Sequence, residues 1–315
     1  MHSIRLKYLL PLVCPLSFCC TPIQSQQLSA TKTTGGIEIS EAGSKVLFYQ
    51  TNPKSLNGKY ERANYIHPFY SLNGNILTED FPEDHPHHRG IFWAWHQILI
   101  NIKPIADGWS CENISWEVVD TNISKNKKSI TLNSAVLWKS FLKNHQQVAI
   151  VKENLKIIVH SSTDQYRIID FDITLAALVD SLKIGGSDDA KGYGGFSLRL
   201  KLPEDIKFLA NNKEVIPQEL AIKAGGWMDF AGSFEGENLP KSGVAVFCNP
   251  SNPGYPHPWI LRKEKSMQNP AFPGRVPVEL TKKGLRFQYR VVIHKSVFMH
   301  NDIEKLYHEY VETGK

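Results

Sequence analysis

Tyr166-Arg-Ile-Ile-Asp-Phe-Asp-Ile-Thr-Leu175 decides the fold of this chain, because apolar side chains recur at alternate positions along it. Successive side chains of a strand point to opposite faces, so this spacing makes one face apolar and leaves the other polar. Ser129-Ile-Thr-Leu-Asn-Ser-Ala-Val-Leu-Trp138 and Leu285-Arg-Phe-Gln-Tyr-Arg-Val-Val-Ile-His294 read the same way. So do the shorter segments 38–41, 45–50, 114–119, 148–151, 155–160, 196–202 and 243–247, all rich in β-branched and aromatic residues. Many short strands without alternating helices predict an all-β antiparallel protein built as two packed sheets or a closed barrel, with the two-sheet β-sandwich the expected architecture. Only the carboxyl end reads as helix. Asn301 is the expected cap, Asp302 and Glu304 fall in the first turn, and Ile303, Leu306, Tyr307 and Tyr310 form one apolar face ahead of Gly314.

The amino terminus belongs to a different category. Arg5 and Lys7 precede an apolar run from Tyr8 to Cys20, too short to span a bilayer and interrupted by Pro11 and Pro15. It reads as a signal peptide over residues 1–26, with 27–315 as a single domain that is periplasmic or secreted. In an alternative reading Leu16-Ser-Phe-Cys19 acts as a poor lipobox and places a lipid anchor on Cys19 or Cys20. Loss of Arg5 and Lys7 lowers the formal charge from +5 to +3. No element concentrates Lys and Arg, so a nucleic-acid partner is not expected. With three of the five cysteines inside the leader, a disulfide scaffold is excluded, although Cys111 and Cys248 remain to pair or not.

Chemistry concentrates in residues 80–97, where four of the twelve histidines meet three acids, Arg89, Trp93 and Trp95. Imidazole moves protons near neutral pH, and guanidinium grips oxygens. His88 is the expected acid or base, with Asp84 fixing its tautomer and Arg89 on substrate oxygens. If the segment is extended, His85 and His87 point away from His88. That makes His85 and His87 the candidate metal ligands, with Asp84 or a distant His, and a transition metal the one cofactor suggested, although the spacing lacks a zinc signature. Trp93 and Trp95 read as core. His96, on the opposite strand face, needs a partner if buried.

Three later loops carry further candidates. Gly192-Tyr-Gly-Gly-Phe-Ser-Leu-Arg199 offers Tyr193 and Arg199 beside glycines that let backbone approach a ligand. Gly225-Gly-Trp-Met-Asp229 offers Trp227 and Asp229. The proline-stiffened loop 249–262 offers His257 for catalysis, with Trp259 and Arg262 for binding.

Asp84-His-Pro-His-His-Arg-Gly90, Gly192 to Arg199, Trp227-Met-Asp-Phe230, Asn252-Pro-Gly-Tyr-Pro256, Ser266-Met-Gln-Asn269 and Phe272-Pro-Gly274 together resemble the PmoA-like family of secreted bacterial proteins, often labelled "methane oxygenase PmoA". A true methane monooxygenase subunit would need several membrane spans, and no apolar run of about 20 residues follows the leader. A fold-level likeness to galactose-mutarotase-like supersandwiches implies a sugar site on loops. In aldose epimerases a Glu-Thr-Gln stretch provides the base, whereas Ser266-Met-Gln268 stands here, which argues against simple mutarotation. The sequence therefore points to a small carbohydrate ligand in a His-, Arg- and Trp-lined cleft, with metal binding or non-catalytic sugar binding as alternatives.

Overall fold

Four antiparallel strands, Ser115–Lys125, Ser129–Phe141, Gln147–His160 and Tyr166–Ala177, run back and forth to begin the larger sheet. In Tyr166–Ala177 every second residue from Arg167 to Ala177 is buried, as the alternation requires. Leu285–Lys295 pairs next, then Ser242–Cys248, Trp227–Gly232, Lys207–Ala210 and Lys213–Glu214, completing nine strands. Facing it is a six-stranded sheet in the order Leu28–Lys32, Gly36–Glu41, Ser44–Gln50, Tyr65–Phe69, Ile91–Trp95 and Gly194–Leu198. The computed structural model describes residues 27–142, 146–211, 213–264, 266–295 and 300–313. The expected signal segment, Cys19 and Cys20 lie outside them, as does the side chain of Asn301, the expected cap; the helix itself runs His300–Thr313.

Aromatic side chains fill the space between the sheets. Trp93 and Trp95 of the smaller sheet meet Phe171 and Trp138 of the larger one, and Phe196 stacks on Tyr289 at 4.4 Å. Offset and edge-on rings pack densely while burying large apolar area. An ionisable carboxyl lies inside this core. The Glu153 carboxyl is buried and accepts hydrogen bonds from Trp93 Nε1, Trp138 Nε1 and Asn64 Nδ2 at 2.7–2.9 Å. Those donors satisfy a group that would otherwise be costly to bury.

The larger sheet is apolar on both faces where Trp227–Gly232 and Ser242–Cys248 run, because the helix covers its outside. Ile303, Leu306, Tyr307 and Tyr310 pack there on Trp227, Ala245, Phe247 and Val292. The helical face expected from the sequence is therefore the one that docks. Segments 148–151 and 155–160, read separately in the sequence, join into one strand, Gln147–His160. Cys111 and Cys248 are both free thiols.

Candidate functional site

The histidine-rich segment is a loop closed at its base by backbone pairing. Gly90 N donates to Glu79 O at 2.8 Å, and Arg199 N donates to Gly90 O at 2.7 Å. Gly90 has φ +34°, and a Cβ there would lie 1.9 Å from Ile66 O, so only glycine lets the loop close against that strand. Inside the loop the chain turns twice, with His85 N donating to Pro82 O and His88 N to His85 O. An extended segment would have splayed the histidines. The turns gather them instead: His85 stacks on His88 with ring centroids 4.6 Å apart, and His87 meets His88 edge-on at the same separation.

Arg199 anchors this cluster. Its Nε donates to Glu79 Oε2 at 2.6 Å, its Nη2 to Asp84 Oδ1 at 2.7 Å, and its Nη1 to His88 Nδ1 at 3.2 Å. A guanidinium can only donate, so His88 Nδ1 carries the lone pair and the hydrogen is on Nε2. Arg199 thus fixes the His88 tautomer, the role expected of Asp84, which instead pairs with His85 Nδ1 at 2.6 Å. Burial, reinforced by His87, His85 and Arg199, pushes the His88 imidazole down to about 2, so it is neutral at physiological pH. Its Nε2 has no protein partner among the described residues, and the residue is buried, 3 % exposed.

A second element faces the loop. His96 follows the strand Ile91–Trp95, and its Nδ1 lies 2.9 Å from Asp107 Oδ2. Asp107 Oδ1 accepts the backbone N–H groups of Trp109 and Ser110 at 2.8 and 2.9 Å, an Asx-type turn that orients the carboxylate. Although burial alone would raise Asp107, the His96 and backbone hydrogen bonds hold it below the usual carboxylate range. Asp84 behaves alike: against burial, hydrogen bonds from His85 and Arg199 bring it to about 2. Trp109 lies between the two elements. His96 stacks on it at 5.2 Å, and His88 and Tyr193 pack at 6.0 and 5.7 Å. His87, lowered to about 4 by burial and then by His85, His96 and Arg62, makes no hydrogen bond among the described residues. The arrangement presents one neutral donor and one carboxylate-held imidazole on a single indole, with the His87 imidazole packed against His88.

Of the residues singled out in the sequence, Asp84, His85, His87, His88, His96, Tyr193 and Arg199 come together. Arg262 borders them, its guanidinium over the Tyr193 ring at 5.6 Å but bound to the carbonyls of Gln218, Glu219 and Leu261. Several expectations are corrected. Arg89 is fully buried, with its guanidinium on Asp80, Tyr65 and two backbone carbonyls and against the Phe81 ring, so it braces the loop rather than gripping substrate. Trp227 is sealed under the helix and Trp259 packs on Phe230, which removes both as stacking surfaces. Asp229 is a buried partner of His294 at 2.9 Å. His257 is buried against Phe272 and Tyr289 with Nε2 on Pro253 O, away from the cluster. Asp107, Trp109 and Arg62 were not singled out. Arg62, wedged between Phe92 and Trp116, donates to Gly108 O and supports the Asp107–Trp109 turn from beneath.

Along the other flank of the loop runs an open groove of about 1240 Å³ lined by Glu79, Asp84, Arg199, Lys201, Glu204 and Lys263 among others. Among the described residues no group of three or more His, Cys, Asp or Glu side chains is arranged to hold a metal ion, His85 and His87 included. No helix among the described residues is long and apolar enough to cross a membrane.

An antiparallel sandwich that gathers imidazoles on edge loops defines the structural class. The chain belongs to the family of unknown function DUF6807, which it matches over residues 36–308. A search of curated proteins gives no match.

Proposed function

We propose that this chain is a periplasmic or secreted carbohydrate-active protein, an enzyme of sugar catabolism that binds a sugar or sugar derivative on the imidazole face of the loop. The observation that carries the reading is the set of ring nitrogens on His87, His88 and His96 left without protein partners among the described residues, with His88 and His96 packed on Trp109 and His87 packed on His88. The neutral His87 imidazole can both donate to and accept from hydroxyl groups, and that of His88 can donate, without the desolvation cost of a cation. Tyr193, half-buried against the buried Trp109, supplies flat apolar surface beside them, as C–H faces of a sugar require. The short apolar run from Tyr8 to Cys20 supports export, and the PmoA-like motifs support a secreted bacterial setting. A lipid on Cys19 or Cys20 is the membrane-tethered version of the same proposal.

The test is a panel of oligosaccharides and oxidised sugars assayed for tryptophan-fluorescence change and for turnover. Saturable quenching with product formation is the expected result. Saturable binding without product reduces the protein to a sugar-binding module. Neither signal with any sugar ends the reading.

A further inference from the structure

We infer that the imidazole face acts on a sugar carrying a carbonyl group, His96 taking the proton from the carbon beside it while His88 hydrogen-bonds the carbonyl oxygen. This rests on the sugar-binding reading above and names the chemistry of the same face.

The two imidazoles have fixed and opposite polarity. Asp107 accepts hydrogen bonds on both oxygens, from the Trp109 and Ser110 N–H groups on one and from His96 on the other. His96 Nδ1 therefore carries the hydrogen, and Nε2 carries the lone pair that can take a proton. In His88 the order is reversed, because Arg199 donates to Nδ1 and leaves Nε2–H as a donor. Both rings pack on the buried Trp109, His96 on its face and His88 edge-on, so one indole sets the position of base and donor.

That pairing suits enolisation better than glycoside cleavage. Cleavage by paired carboxyl groups needs one of them protonated to release the leaving oxygen. Here Asp84 is held by Arg199 and His85, and Asp107 by His96 and backbone N–H groups, so neither keeps a proton for that purpose. An imidazole base removes a proton from carbon when a neighbouring carbonyl accepts the electron pair, and a neutral imidazole donor stabilises the resulting oxygen charge.

In the step, His96 Nε2 forms an N–H bond as the C–H bond breaks. The C–H pair becomes the C=C bond of an enolate, and the carbonyl π pair moves onto oxygen, where His88 Nε2–H meets it. Return of the proton from His96 to carbon completes an exchange. Loss of an oxygen substituent from the next carbon, which takes that proton instead, completes an elimination. Neither route needs an oxidant or reductant.

The experiment follows proton NMR in D2O with a methyl glycoside oxidised to a ring ketone and with its unoxidised parent. Deuterium is expected at the carbon beside the ketone. His96→Gln should slow exchange by about 10²–10⁴-fold, and His88→Ala by about 10²–10³-fold, in variants that keep the wild-type melting temperature. Asp107 is a positioning residue, so Asp107→Asn should lower kcat by about 10–100-fold with KM unchanged. Wild-type exchange in His96→Gln, or turnover of the parent without deuterium uptake, overturns the inference while leaving sugar binding intact. Failure of both sugars to bind removes the sugar reading and the inference with it.

Discussion

Arg199 Nη1 meets His88 Nδ1 at 3.2 Å, and this contact decides which face of the imidazole looks outward. The same guanidinium holds Glu79 and Asp84, so one side chain joins the loop, the sheet edge and the tautomer.

Arg199→Lys should separate these roles. Lysine keeps the charge but lacks the planar fork, so it cannot hold two carboxylates and an imidazole together. Faster hydrogen exchange over residues 82–90 and a tenfold or greater loss of sugar affinity are expected. Arg199→Ala should also cost on the order of 3 kcal/mol in denaturant unfolding, moderated because Glu79 and Asp84 are partly hydrated.

Glu153 makes stability depend on pH. Burial pushes its carboxyl up to about 7, against hydrogen bonds from Asn64, Trp138 and Trp93 that favour the charged form. The folded chain then binds this proton more tightly than the unfolded chain, whose carboxyl titrates near 4.3, about the ordinary glutamate value. Its contribution is complete below the unfolded value and fades as pH rises through 7, by on the order of 3 kcal/mol. Denaturant unfolding from pH 4 to 8 should show this slope, and Glu153→Gln should flatten it.

A buried ion pair also ties stability to pH. Burial pulls the His294 imidazole down, but Asp229 beside it more than compensates and raises it above its ordinary value. The charged pair therefore stabilises fully below about pH 6.5 and is lost as pH rises through the raised value. Asp229→Asn should cost on the order of 3 kcal/mol below neutrality and less above it, read as the difference between unfolding curves at pH 6 and pH 9.

Trp109 should report ligand, and Trp259 should not. Trp109→Phe is expected to abolish the fluorescence change on sugar binding. Trp259→Ala should remove about 3–5 kcal/mol of stability through a core cavity, with sugar affinity unchanged in the fraction that remains folded. A ligand signal that persists in Trp109→Phe would move the site elsewhere.

The fold was legible because burial in strands leaves a periodic trace. Tyr166 to Leu175 alternates cleanly, and the helical face from Ile303 to Tyr310 follows the same logic at a different period. The histidine loop stood out by composition alone. What composition could not reveal was direction: two turns, set by backbone hydrogen bonds, brought His85 and His87 to the same side as His88. Trp227 and Trp259 look alike in sequence to an exposed stacking residue, and only the helix and the neighbouring strands make them core. Trp109 had no such flag. Its nearest clue was Asp107 two residues earlier, a residue type that caps turns and could have answered the need of His96 for a partner.

Arg199 stands 111 positions beyond His88. A synthetic peptide spanning residues 80–97 would hold every imidazole of the loop and lack the guanidinium that orients His88. During synthesis the histidines emerge long before the strand Gly194–Leu198 that delivers their anchor, so the cluster is fixed only with closure of the smaller sheet. Whatever ligand the mature protein takes, its nascent chain is blind to it.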